Sequence, residues 1–456
     1  MPFELFSPRM QELIQKKGFP KPTEPQRLGI PEILQGNNVL VVASTGIGKT
    51  ETAMLPLLDL IYTKKMPPIA LMYITPLKSL NRDLLDRLFW WADKLDIDIA
   101  VRHGDTSQQE RTSQREAPPH VLISTPETLG AILTGSKMRA HLKQVKYVVI
   151  DEIHELIESK RGTQLSLLLE RLRMVCGSFQ IVGLSATVGT IDLAAHFLGN
   201  DVHVIETESQ KQYDVKVEFP KPALQDVATS EELSVGSTTM ARLRRLYELI
   251  TSHDSVIAFT NTRETAEVLS SRLRTWNKEL KQDVHHGSLS KEHRIKSEQK
   301  FKDKELRSLI ATSSLELGID IGAVDLVVQY LSPRRVTKCI QRVGRAGHTF
   351  WKTSKGVILS GDEDLFESAV IAKRTHEKAL EKTKVHDHAL DVLAHQILGL
   401  LLDQFEWTPA ALYAIVSKSY LYRNLSRKEF DGILDFLAQL RLISITEKQD
   451  GSKVVN

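Results

Sequence analysis

The octapeptide ASTGIGKT at residues 43–50 constrains this chain more than any other stretch. It follows an apolar run, VLVV at 39–42, and precedes a helix-like run over residues 51–62. A strand, a glycine-rich turn and a helix in that order aim backbone N–H groups and a helix N-terminus at one point, where a phosphate group binds. The stretch departs from the G-x-x-x-x-G-K-[ST] pattern at its first position, Ala43, and keeps Gly46, Gly48, Lys49 and Thr50, with Thr45 and Ile47 completing the loop. The glycines permit close backbone approach, Lys49 would neutralise the outer phosphates, and the Thr50 hydroxyl would hold Mg2+.

A strand–loop–helix start implies more of the same, and the chain supplies it. NVLVVA at 38, IALMYI at 69, HVLIS at 120, KYVVI at 146 and QIVGLS at 180 are short apolar runs separated by helix-like segments. That alternation predicts a parallel sheet between helices. A second series, SVIAF at 255, RSLIAT at 307, DLVVQYL at 325 and GVILS at 356, predicts a second α/β lobe. Between them, residues 206–236 with Pro220, Pro222 and TSEELSVG read as a connector, so the lobes are expected at 1–205 and 237–373.

Beyond about Arg374 the pattern turns helical. Ser426 and Glu429 form an S-x-x-E capping box before Phe430, Ile433, Leu434 and Leu437 at helical spacing. LISIT and KVVN then flank an Asp450-Gly451 turn, so three helices and a hairpin are expected as a winged-helix module over 385–456. The chain ends as that last strand begins, as would a core cut short of further C-terminal modules, or one that has lost them.

With 456 residues, two or three domains are expected, and 41% hydrophobic with 26% charged residues is the composition of a soluble globular protein. A formal charge of +3 from 60 basic and 57 acidic residues is too small to name a polyanionic partner. Cys176 and Cys339, far apart and in no ligand spacing, exclude a disulfide framework or a cysteine-rich zinc site. No apolar stretch reaches membrane-spanning length and the N-terminal residues lack a secretory signal, so a cytoplasmic protein is expected.

Asp151 and Glu152 end the KYVVI run and should emerge at the carboxyl edge of the sheet beside the phosphate loop. Asp151 would bind Mg2+ through water and Glu152 would take a proton from the attacking water. Far along the chain QRVGRAGH at 341–348 offers a second charged cluster. A nucleotide held between two lobes can report its hydrolysis as movement of one against the other.

In order, GFPKPTEPQ (18–26), the phosphate loop, TPLKSL (75–80), STPETL (124–129), DEIH (151–154), SAT (185–187), FTNTR (259–263), ATSSLELGID (311–320) and QRVGRAGH resemble the motifs of superfamily 2 helicases over nearly the whole chain. DEIHELIESKRGTQLSLLLERL, HHGSLSKEHR and SPRRVTKCIQRVGRAGH are most similar to the large helicase-related (Lhr) branch. The resemblance implies an α/β fold of two tandem RecA-like domains followed by a winged-helix domain. It implies an ATP- and Mg2+-dependent enzyme that moves 3′ to 5′ on single strands and separates DNA or DNA–RNA duplexes, with roles in genome maintenance or RNA handling.

Within the resemblance, Gln26 contacts adenine with Phe19 nearby, Gln341 orients the hydrolytic water, and Arg345 acts as an arginine finger, with Arg342 assisting or contacting a neighbouring acid. Thr75, Lys78, Ser124, Thr125, Thr260, Arg263 and Thr312 would grip the nucleic acid backbone. Ser185 and Thr187 would link the two sites, and Gly318 and Asp320 would sit where a loop adjusts to ATP. His348 stands where many superfamily members carry another arginine. His103, His285 and His286 have no ligand spacing and are assigned no metal; Trp90 and Trp91 could stack bases but are expected to pack. Two other classes stay open: an ATP-gated clamp or remodeller without sustained unwinding, and a phosphate-loop enzyme acting on small molecules.

Overall fold

The computed structural model describes residues 2–19, 21–44, 46–76, 82–186, 189–207, 211–316, 322, 324–347, 353–449 and 451–456. They form two units. One combines the N-terminal lobe with the module from Lys382 on, and the other is the lobe between them.

In the first lobe the strands are β1 (Val39–Val42), β2 (Leu71–Ile74), β3 (Ile99–Arg102), β4 (Val121–Ser124), β5 (Tyr147–Ile150), β6 (Gln180–Ser185) and β7 (His203–Glu206). All neighbours pair in parallel, in the order β3-β4-β2-β5-β6-β1-β7. Every residue of β1, β2, β4 and β5 is buried, because helices cover both faces and an interior strand then needs apolar side chains on both. The second lobe repeats the design with β8 (Tyr213–Glu218), β9 (Val256–Phe259), β10 (Gln282–His285), β11 (Ser308–Ala311), β12 (Leu326–Tyr330) and β13 (Ser354–Leu359), ordered β10-β11-β9-β12-β13-β8 and again parallel.

The nine strands expected from apolar runs are the interior ones. The four not expected, β3, β7, β8 and β10, are the four sheet edges. An edge strand is part solvated, so its sequence need not be apolar: β7 reads HVIE and is mostly exposed. β10 is buried but polar, and satisfies itself locally: Gln282 bonds Ser270, the Asp283 carboxylate accepts from Ser297, and His285 meets Glu298. The expected connector at 206–236 is corrected on the same ground, since it holds β8, paired to β13, and the helix Asp226–Glu232.

The C-terminal module has helices Leu390–Asp403, Pro409–Val416 and Arg427–Gln439 and a hairpin of β14 (Ile445–Glu447) and β15 (Lys453–Val455), a winged helix. The Ser426–Glu429 capping box forms at the third helix. This module is not a separate bead on the first lobe. Leu393, Ile397 and Leu400 share one apolar core with Leu165, Leu168 and Leu172 of helix Lys160–Cys176, each contributing about 1.5–3 kcal/mol by burial. Arg171 from that helix is buried and donates Nε and Nη2 to the buried Asp403 carboxylate at 3.0 Å each, Nη1 to Gln396 and Nη2 to the Gly399 carbonyl. A charge buried with that many partners fixes the register of the two helices. Among the described residues, no helix is long and apolar enough to cross a membrane.

Candidate nucleotide site and strand-binding edges

Strand order decides which motifs meet. Reading the carboxyl edge of the first sheet from β4 to β1 gives Ser124 and Thr125, then Thr75 after β2, Asp151 and Glu152 after β5, Ser185 at the end of β6, and the phosphate loop after β1. Gly46 and Gly48 adopt φ of +85° and +83°, left-handed values that place a tight turn before helix Lys49–Thr63. Lys49 is buried and its Nζ donates to the Ala43 carbonyl at 2.8 Å, folded over the loop. Gln26 lies against the same loop: a Cβ on Gly48 would fall 2.6 Å from its Nε2. Its Oε1 accepts from the Thr23 N–H at 3.0 Å, so the amide caps its own helix and keeps its NH2 on the loop side. Phe19 is half-buried and its ring meets Trp91, 5.9 Å between centroids. Thr45 lies outside the described residues.

The carboxylates at this edge are electrostatically unusual. Asp151 is pushed up to about 6, first by burial and then by the neighbouring Glu152, against hydrogen bonding from Tyr73 and the charge of Lys49. Its Oδ2 accepts from the Tyr73 hydroxyl at 2.5 Å and its Oδ1 from the Glu152 N–H at 2.9 Å. Glu152 sits at φ +47°, an uncommon conformation for a residue with a side chain, at the start of helix Ile153–Ile157. Its Oε2 is buried and has no hydrogen-bond partner among the described residues. His154 Nδ1 stands 3.6 Å away, beyond hydrogen-bond range, and is itself an acceptor from the Ala186 N–H at 3.3 Å. Ser185 Oγ lies 3.3 Å from the same nitrogen, so His154 ties DEIH to SAT directly. Thr187 lies outside the described residues.

In the second lobe the charged cluster is organised around Glu316. Arg342, on helix Val336–Val343, is buried and donates Nε to the Glu316 carboxylate at 2.7 Å and Nη1 to Gln329 at 2.6 Å and Asn261 at 3.0 Å, with Nη2 also on Glu316. Of the two roles expected of Arg342, assisting the finger or contacting a neighbouring acid, the structure shows the contact with an acid, Glu316. Arg342 knits the ends of β9 and β12 to the residue ahead of LGID, in the manner of a buried, multiply bonded ion pair. Arg345, past the helix end, is only part buried and donates Nη2 to the Glu316 carbonyl at 2.6 Å. Gln341 is half-buried on the last turn of the same helix. Lys211 donates to the Gly344 carbonyl at 2.6 Å and is held down at about 8 by burial and then by Arg345. Gly318, Asp320 and His348 lie outside the described residues.

Several expected backbone-gripping hydroxyls are already engaged. Ser124 Oγ donates to the Arg102 carbonyl at 2.9 Å, Thr125 caps helix Pro126–Thr134, and Thr260 Oγ1 donates to the Thr262 carbonyl at 2.9 Å, all three buried. Thr75 and Thr312 are buried as well. A hydroxyl at the end of a buried strand is pulled onto local backbone before it can serve a ligand. Arg263 is exposed at the first position of helix Arg263–Trp276 and bonds Ser288, a serine with no motif spacing to mark it. Lys78 lies outside the described residues. Trp91 is buried against Trp90. Tyr73 and Glu316 carry no separate sequence signal: each sits inside an apolar run or motif where it reads as filler.

Residues 23–194 match the DEAD/DEAH box helicase family, 240–349 the helicase conserved C-terminal domain, and 373–442 the winged helix domain of large helicase-related protein. The chain is 37% identical over 444 residues to the ATP-dependent helicase Lhr-Core of Methanothermobacter thermautotrophicus, covering 91% of this chain and 51% of that protein. To the Lhr helicase/uracil glycosylase of Escherichia coli it is 33% identical, covering 95% of this chain and 32% of that protein. The solved structure of Mycobacterium smegmatis helicase Lhr bound to ssDNA and AMP-PNP superposes with a TM-score of 0.86 at 34% identity, covering 99% of this chain and 60% of that one. The chain thus spans about half the length of the Lhr-Core relative it matches. Two RecA-like lobes, a winged helix joined to the first, and matches to all three family domains in order establish that this chain belongs to the superfamily 2 helicases, in the large helicase-related family.

Proposed function

We propose that the chain is an ATP-dependent nucleic acid translocase that moves 3′ to 5′ on single strands and separates duplexes. The observation that carries this reading is Glu152 Oε2, a buried carboxylate oxygen without a hydrogen-bond partner among the described residues, on the strand next but one to a phosphate loop. A buried acceptor left unpaired is costly unless something absent pairs with it, and here the fitting partner is a water to be deprotonated. The donor set fits Mg2+·ATP: left-handed glycines for the phosphates, and hard oxygens from Thr50 and Asp151 to hold the cation. When bound, the cation would neutralise phosphate charge.

The chain's own residues divide the remaining work. Lys49 neutralises the β- and γ-phosphates, Glu152 accepts the proton of the attacking water, Gln341 orients that water, and Arg345 meets the charge that develops on the γ-phosphoryl group. Gln26, with its NH2 on the loop side, reads the adenine edge beside Phe19. Single strands would run along both sheet edges, held by backbone amides and Arg263 rather than by the engaged hydroxyls. Closure and opening around ATP would change the spacing of the two grips and so advance the chain. DNA, RNA or hybrid duplexes are all compatible with a phosphate grip, in a cytoplasmic setting where both cysteines are thiols.

Strand displacement on duplexes with a 3′ tail, a 5′ tail or blunt ends tests the proposal. Unwinding that needs the 3′ tail and ATP is expected. ATP hydrolysis stimulated by single strands without displacement would make the chain a clamp or remodeller, and hydrolysis indifferent to polynucleotide would remove nucleic acid from the account.

A further inference from the structure

Tyr73 stands at the nucleotide edge with no role in the reading above. It is the third residue of β2, an interior strand, and is completely buried. Register sets it beside Val149 of β5, and the two-residue period of a strand brings Asp151 to the same face. Its hydroxyl donates to Asp151 Oδ2 at 2.5 Å. Phenylalanine would fill the same core space without a hydroxyl to desolvate, so what distinguishes tyrosine here is the carboxylate oxygen it meets.

We propose that Tyr73 is a positioning residue for the nucleotide's divalent cation, aligning Asp151, the carboxylate expected to hold that cation through water. The inference rests on the reading of Asp151 given above. Asp151 is held at both ends, Oδ2 by Tyr73 and Oδ1 by the Glu152 N–H, so the rotation of its carboxylate is fixed. Each oxygen keeps a second lone pair for a cation or its water.

The test is Mn2+ binding to the full chain with AMP-PNP, followed by electron paramagnetic resonance, in wild type, Tyr73→Phe and Asp151→Asn. Tyr73→Phe should bind Mn2+ about tenfold more weakly, at the low end for outer-shell partners of a metal ligand. Its thermal midpoint should fall modestly as Asp151 Oδ2 loses its donor, while its metal-free nucleotide affinity should stay at the wild-type value, which a general loss of packing would not allow. Asp151→Asn should weaken Mn2+ further. Wild-type Mn2+ affinity in Tyr73→Phe beside a weakened Asp151→Asn overturns the role of Tyr73 and leaves the site standing; wild-type affinity in both overturns the site. If Tyr73→Phe does not fold, a structure of the wild-type Mg2+·AMP-PNP complex decides. Tyr73 Oη within about 3.2 Å of Asp151 or of a metal-bound water supports the proposal, and a hydroxyl turned away from both ends it.

Discussion

The two sheets present their carboxyl edges differently. On the first, a buried carboxylate oxygen of Glu152 lacks a partner among the described residues, and burial and its neighbour push the Asp151 carboxyl up to about 6. On the second, the buried Arg342 is bonded to three side chains and its acid, Glu316, is engaged from both carboxylate and carbonyl. Both edges are charged and both carry family motifs. What separates them is bonding capacity left over, which marks where an absent substrate belongs; completed networks mark scaffold.

Arg345 is the sharpest place to break this contrast, because it is only part buried and is proposed to reach substrate. Arg345→Ala should lower ATP hydrolysis by about 10³–10⁵-fold, as for an arginine finger, with little change in the unfolding midpoint. Arg342→Ala should do the reverse. Leaving Glu316 buried without its cation should destabilise the chain by about 3–5 kcal/mol in denaturant unfolding. A finger-sized loss of hydrolysis in a stable Arg342→Ala protein would erase the distinction between the two arginines.

The joint between the first lobe and the winged helix is a control from outside both edges. Arg171→Ala leaves Asp403 buried and unpaired, and should also destabilise by about 3–5 kcal/mol, with ATP affinity unchanged. Thr125→Ala gives the smallest effect, about 1 kcal/mol from loss of a helix cap, with unchanged affinity for single-stranded DNA. Reduced strand affinity without lost stability would return Thr125 to the nucleic acid interface.

Chemistry with a fixed spacing was legible in the sequence: the phosphate loop, DEIH and the winged helix's capping box each join residues that are close along the chain. Interior strands were legible because burial on two faces leaves only apolar residues. Edge strands were not, since β3, β7, β8 and β10 answer to solvent or to local polar partners instead. Contacts between distant strands were the other blind spot. Tyr73 reads as core until β2 and β5 are paired, and Glu316 reads as a loop acid until Arg342 folds onto it. Single hydroxyls carry the weakest signal: Ser124, Thr125 and Thr260 fit a strand-binding pattern and also bond local backbone.

The account turns on Glu152 as the group that meets the hydrolytic water. Steady-state ATP hydrolysis by Glu152→Gln with single-stranded polynucleotide present, alongside its affinity for AMP-PNP, tests that most directly. The account predicts hydrolysis lower by about 10²–10⁴-fold with nucleotide affinity retained. Wild-type turnover in that variant would contradict it.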